Sequence, residues 1–410
     1  MPGSCSTFGS GFGVRAYNVA LEMSRRVRMI LIVVLLLVAI VYFAAPYARA
    51  TSLIVRVAGI GGPAQTIASL QETRVEKKPR HMVPTRHGDV PAQIYMPAAV
   101  SEHAVLVMPG FNSNGIDEPR LAALAADIAA SGYPVMALAL PDLQQFRLTP
   151  HSTDVIEDAV MWMVNQKSLA PDGRIGIIAV SFSGGLSVVA AGRDHIRDHV
   201  KFVVSLGGHG DMRRVMRYLA TGVAPKVDGL ENHAPHDYGV AVILNSLADR
   251  GVVPLEQAVP LRSAIETYLK ASQATVISDA AAAPIFAQAK TMAASLPEPS
   301  RTYMQYVNDR DVSKLGAMLV QHLNQAGVDD PALSPELAPP PTASIFLLHG
   351  HDDNIIPPAE SVLLANHLRM KGVRTRVLLS GLITHASVNE HATAMDALKL
   401  MNFWAAVIKQ

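Results

Sequence analysis

From about residue 81 the chain alternates short apolar runs with stretches of helical spacing, the pattern of a parallel sheet covered by helices. Positions 83–85 and 92–95, joined through His87-Gly88-Asp89, predict an opening antiparallel hairpin. Residues 104–108 (AVLVM) form an uninterrupted apolar strand, as a sheet covered on both faces requires. Leu121, Leu124, Ala125 and Ile128 then mark one helical face, stopped at Ser131-Gly132. A strand at 134–140, a helix at 153–165, a strand at 175–180, a helix at 184–193 and a strand at 201–206 continue the rhythm. Between 207 and 342 it breaks into helical spacing without strands, ending in Pro339-Pro340-Pro341. Strands at 344–348 and 375–379, with helices near 358–371 and 390–408, resume it.

The pattern predicts one α/β core interrupted by a helical lid. The core occupies 81–206 and 343–410, and the lid 207–342. Ahead of it lie a tail at 1–28, an apolar segment at 29–48 and a connector at 49–80, broken by Gly59-Ile60-Gly61-Gly62-Pro63.

The apolar segment changes this picture. MILIVVLLLVAIVYFAA from Met29 to Ala45, extendable to Ala48, meets the ~17–25 residues that a membrane-crossing helix needs. Arg25, Arg26 and Arg28 precede it, while Arg49 and Arg56 follow. That predicts a single-pass transmembrane helix with its start in the cytoplasm and the α/β domain outside. The alternatives are a signal peptide cleaved near Ala48-Arg49-Ala50, giving a secreted protein, and a buried helix of the fold.

Composition narrows the chemistry. The 410 residues are 50% hydrophobic and 17% charged with a net charge of +1, so a large core is available and no basic surface for nucleic acid is expected. The single cysteine, Cys5, lies in the tail, which removes disulfides, cysteine-ligated zinc and a cysteine nucleophile from the folded part. No GxGxxG, P-loop or helical HxxxH occurs, so neither cofactor nor metal is expected; His349, His351 and Asp352 read as residues at a strand end.

The run RIGIIAV followed by Ser181-Phe182-Ser183-Gly184-Gly185 matches the sharp strand-to-helix turn that lifts a serine Oγ out of a sheet. The strand's end at Val180 favours Ser181 as nucleophile. Ser183, with glycine two residues on, is the alternative. HGHDDNIIP after the strand at 344–348 offers Asp353, or failing that Asp352, to hold a histidine's tautomer. His385 follows the last strand. The order Ser, Asp, His, each shortly after a strand, joins Ser181, Asp353 and His385 as a triad. The turn Pro109-Gly110-Phe111-Asn112 supplies an oxyanion hole, with the backbone N–H groups of Phe111 and Phe182 as donors and Asn112 as an addition. His209 and Asp211 follow another strand, as candidates to line the pocket or, the favoured reading, where the surrounding glycines simply turn the chain into the lid.

These motifs, PGF, RIGIIAVSFSGG, HGHDDNIIP and a late histidine, in that order, resemble the α/β-hydrolase superfamily and broadly its dienelactone-hydrolase-like and esterase branches. The resemblance covers about 92–206 and 344 to the end. It implies an eight-stranded, mostly parallel sheet and a Ser–His–Asp mechanism. Ala179 stands where that family usually has glycine, and a dienelactone-type cysteine nucleophile is missing. The expected activity is hydrolysis of a small-molecule acyl ester, with amide or thioester cleavage behind it. Acyl transfer by the same triad, or a catalytically silent binding protein of the envelope, are the alternatives.

Overall fold

A computed structural model describes residues 25–100, 103–381 and 393–410. The chain divides into two units, Met1–Ala45 and Pro46–Gln410.

The second unit is built on a nine-stranded sheet: β1 Val75–Lys77, β2 His81–Val83, β3 Val90–Pro97, β4 Ala104–Met108, β5 Val135–Leu138, β6 Ile175–Val180, β7 Val200–Leu206, β8 Ser344–Gly350 and β9 Thr375–Ser380. Their order is β1-β3-β5-β4-β6-β7-β8-β9, with β2 also on β3. From β5 to β9 every pairing is parallel, whereas β3 is antiparallel to its neighbours. The expected eight strands become nine because the edge is split. β1 and β2 pair with successive stretches of β3, Lys77 opposite Tyr95 and His81 opposite Ala92. This is the strand arrangement of an α/β-hydrolase fold.

The interior strands follow from their sequence. All five residues of β4 and all seven of β8 are buried, since helices cover both faces. One apolar layer joins the sheet to the helices Pro150–Asn165, Phe182–Ala191 and Ala359–Met370 and to the helical section between β7 and β8. The other joins it to the helices Pro119–Ala130 and Ala394–Ile408. Helix starts are specified locally: the Glu118 and Thr149 side chains accept from Leu121 and His151 N–H with Pro119 and Pro150 behind them, and Thr393 and Asp396 close a capping box.

The helical section contains Met212–Thr221, Tyr238–Leu247, Leu255–Ala274, Asp279–Ser295, Ser300–Asn308 and Val312–Leu319. Its root is ionic. Arg214 bonds Glu336 at 2.6 Å and the fully buried Glu360 at 2.8 Å, and Glu360 also accepts from the N–H of Gly210 and of Asp211. Burial raises the Glu360 carboxyl above its ordinary range, against the opposing pull of Arg214.

The expected membrane anchor, with the catalytic domain outside the cytoplasm or released by cleavage, is corrected here. Among the described residues no helix is long and apolar enough to cross a membrane. Residues Arg25–Val57 form one helix that runs straight through Ala48-Arg49-Ala50, the expected cleavage motif. Downstream of the apolar run, the last turns of that helix belong to the second unit and pack on its core. Ala50 and Leu53 are buried in the second apolar layer. Arg56 donates to the Asp127 carbonyl at 2.9 Å and to Ser131 Oγ at 2.7 Å.

Candidate active site

β6 ends at Val180 and the next helix begins at Phe182, so Ser181 alone makes the turn. It does so at φ 59 and ψ −133, a left-handed conformation for a residue that is not glycine. Such backbone costs about 1–3 kcal/mol and persists only where its surroundings enforce it. Here Ser181 N–H donates to the Leu206 carbonyl at 2.7 Å, and the Ser181 carbonyl accepts from Gly184 N–H at 2.8 Å. Gly110 closes the turn from β4, since a β-carbon there would meet the Ser181 Cβ. Gly184 and Gly185 let the helix approach Ser205 and His209 to distances that any β-carbon would block.

The two serines sit in different surroundings. Ser183 is fully buried, and its hydroxyl accepts from Val180 N–H at 3.1 Å and donates to the Val180 carbonyl at 2.8 Å. That hydroxyl closes the turn on itself. Ser181 sits at the strand's carboxyl end, 5% exposed.

Asp353 follows β8 and is buried. Its Oδ1 accepts from the N–H of Ile355 at 2.9 Å and of Ile356 at 3.0 Å, and Oδ2 lies 3.3 Å from His349 Nε2. The His349 ring is fixed from both sides: Nε2–H donates to the Ile356 carbonyl at 2.8 Å, so Nδ1 accepts from the Ser361 hydroxyl at 2.7 Å. His349 thus braces the turn that carries Asp353. Asp352 points outward, 63% exposed and 3.8 Å from His233 Nε2. Burial, and then the charge of Asp353, hold the Tyr218 and Tyr238 phenols protonated well above their usual range.

His385 lies outside the described residues; β9, which leads toward it, ends at Ser380 beside β8. His209 is enclosed instead of lining a site. Its Nε2–H donates to the Leu333 carbonyl at 2.7 Å, and burial lowers its pKa to about 4. Asp211 caps the helix Met212–Thr221 by accepting from Arg214 N–H.

The loop after β4 brings Phe111 against Phe182, ring centroids 4.7 Å apart. The Asn112 Oδ1 accepts from Asn114 N–H at 2.9 Å and so shapes the loop. A cavity of about 410 Å³ opens nearby, lined by His236, Asp237, Ser272, Thr275, Arg310 and Asn354 among others. Asn354 follows Asp353 directly, and its carbonyl accepts from His236 N–H at 2.9 Å. Arg310 reaches Asp237 at 3.1 Å, and Asp237 bonds His236 Nδ1 at 2.9 Å. The His236 bond comes first among the causes that lower the Asp237 carboxyl. Sequence reading missed this polar wall, because its residues belong to no motif and meet only through the helical section. Among the described residues no His, Cys, Asp and Glu cluster suits a metal ion.

No family model matches the sequence, and no curated protein matches it. Solved structures do. An esterase from Pyrobaculum calidifontis is 17% identical over 84% of this chain and 87% of its own, with a TM-score of 0.43. Carboxyl esterase 2 of the fungus Tuber melanosporum is 14% identical over 82% and 86%, at 0.46. A putative dienelactone hydrolase from Klebsiella pneumoniae is 12% identical over 81% and 99%, at 0.41. Likeness this distant carries no chemistry across, and the fold assignment rests on the sheet order and the turn at Ser181.

Proposed function

We propose that this chain, built on an α/β-hydrolase fold, is a serine hydrolase that cleaves a small-molecule ester through Ser181, His385 and Asp353. The observation that carries the reading is Ser181 itself, a strained non-glycine residue alone between a buried strand and a helix. Folding gains nothing from serine at φ 59, whereas a nucleophile needs that sharply turned position at the end of a strand.

In this reading His385 takes the proton from Ser181 Oγ as the oxygen attacks the ester carbonyl. Asp353 orients the imidazole and stabilises its cation, with its own Oδ1 steadied by two backbone N–H groups. The N–H groups of Phe111 and Phe182 receive the oxyanion. The proton then passes from His385 to the leaving alkoxide, and water attacks the acyl-enzyme in the same way to release the acid and restore Ser181.

The test is incubation of the purified full chain with p-nitrophenyl acetate and butyrate, alongside labelling by a fluorophosphonate and peptide mapping. Turnover with label on Ser181 is expected. Label on Ser183 alone moves the nucleophile, and an absence of both turnover and label sinks the reading.

A further inference from the structure

The helix Leu255–Ala274 ends above the loop that follows β4, and one side chain joins them. Gln273 Nε2 donates to the Phe111 carbonyl at 2.8 Å, while its Oε1 accepts from Ser113 N–H and from Ser113 Oγ, each at 3.2 Å. One amide thus uses both its donor and its acceptor on a loop some 160 positions away. From the core side the loop is held more loosely, by a 3.5 Å bond from Gln144 Nε2 to the Ser113 carbonyl.

On the reading given above, Phe111 supplies an oxyanion donor, and its backbone is pinned on both flanks. Gly110, before it, is packed against Ser181. The peptide group after it is held by Gln273. The Phe111 N–H itself belongs to the peptide before the residue, so Gln273 acts on it by fixing where the loop carries the Phe111 Cα. A loop released at the Phe111 carbonyl and at Ser113 would let that N–H drift, and oxyanion donors act only at about 2.7–3.1 Å from the developing charge. We infer that Gln273 is a positioning residue for the reaction: it fixes the Phe111 N–H for the transition state while making no contact with substrate. Because Ser272 and Thr275 on either side of it line the polar cavity, the same helix end forms part of the cavity wall and holds the loop.

The experiment measures p-nitrophenyl acetate hydrolysis and phenylboronic acid affinity for the native chain, Gln273→Ala, Gln273→Glu and Gln273→Met. The boronate mimics the tetrahedral intermediate. Expected for Gln273→Ala is a fall in kcat of about 10- to 100-fold, between a misplaced group and a lost oxyanion donor, with KM within about 3-fold. Boronate affinity should fall in parallel. Gln273→Glu should lose at least as much, since its carboxylate faces the Phe111 carbonyl without a proton to share. Gln273→Met keeps the side chain's bulk and replaces Gln273→Ala if that variant does not fold. Folded variants with native kcat and boronate affinity overturn the inference alone, as does a loss confined to KM, which would mark a substrate contact. A native chain that cleaves no ester and binds no boronate overturns the hydrolase reading, and this inference with it.

Discussion

Gly110 and Ser181 are in van der Waals contact across the head of the sheet: a β-carbon on Gly110 would lie 2.7 Å from the Ser181 Cβ and 3.1 Å from the Val180 carbonyl oxygen. Neither atom is the free end of a flexible chain, so Gly110→Ala must push the two loops apart. We expect about a 10²-fold loss of ester turnover, the scale of a misplacement of about 1 Å, with a smaller loss of stability. Initial rates and thermal melting check it, and turnover within 2-fold of native would refute it.

Ser181→Ala and Ser183→Ala should part company. The first should abolish turnover and fluorophosphonate labelling while leaving the melting temperature close to native. The second removes a hydroxyl bonded to both backbone atoms of Val180 and should cost about 1–3 kcal/mol of stability, yet keep the label on Ser181. The reverse pattern, label lost with Ser183→Ala and kept with Ser181→Ala, reassigns the nucleophile.

Asp353→Asn should lower kcat by about 10⁴, the scale seen when a triad carboxylate becomes an amide. Asp352→Asn, on an exposed side chain, should stay near native. His385→Ala should leave no measurable turnover. Circular dichroism must show each variant folded, and native turnover in both Asp353→Asn and His385→Ala would dismiss the triad.

Acid should weaken the fold through two histidines. Burial lowers the pKa of both His209 and His103 to about 4, below the ordinary 6.5 of the unfolded chain. Between those values the unfolded chain binds protons that the folded chain refuses. Their contribution is therefore complete above pH 6.5 and is lost as pH falls toward 4, by about 1–3 kcal/mol for the fully buried His209. Urea melts at pH 7 and pH 4.5 measure this. His209→Gln should flatten the dependence, and an unchanged slope would rule His209 out as its source.

How much of this was legible beforehand follows from where each group finds its partners. β4, β6 and the Ile345–Leu348 stretch of β8 were readable because burial on both faces writes itself as an unbroken apolar run, and β7 through its Phe202-Val203-Val204 centre. β1 was not: three residues, one charged at each of its last two positions and mostly exposed, carry no period, and only pairing with β3 makes them a strand. The choice between Asp352 and Asp353 could be framed from sequence, but their opposite exposures appear only after folding. Gln273 had no signal at all, since nothing local distinguishes it from other helical glutamines. The helix end that follows the N-terminal apolar run was illegible for the same reason as β1: Ala50, Leu53 and Arg56 find Asp127, Ser131 and the outer sheet layer only in the fold.

The seating of Arg56 has a practical consequence for anyone shortening the chain. Asp127 is driven above its ordinary range by burial, and Arg56, 3.7 Å away, opposes that. A version trimmed to begin beyond residue 57 for easier expression would keep that half-buried acid and discard its cation, and would strip Leu53 from the small apolar crevice it shares with Ile128, Ile178 and Trp404. The safe place to cut lies upstream of Pro46, and a preparation cut further in would report the stability of a damaged protein.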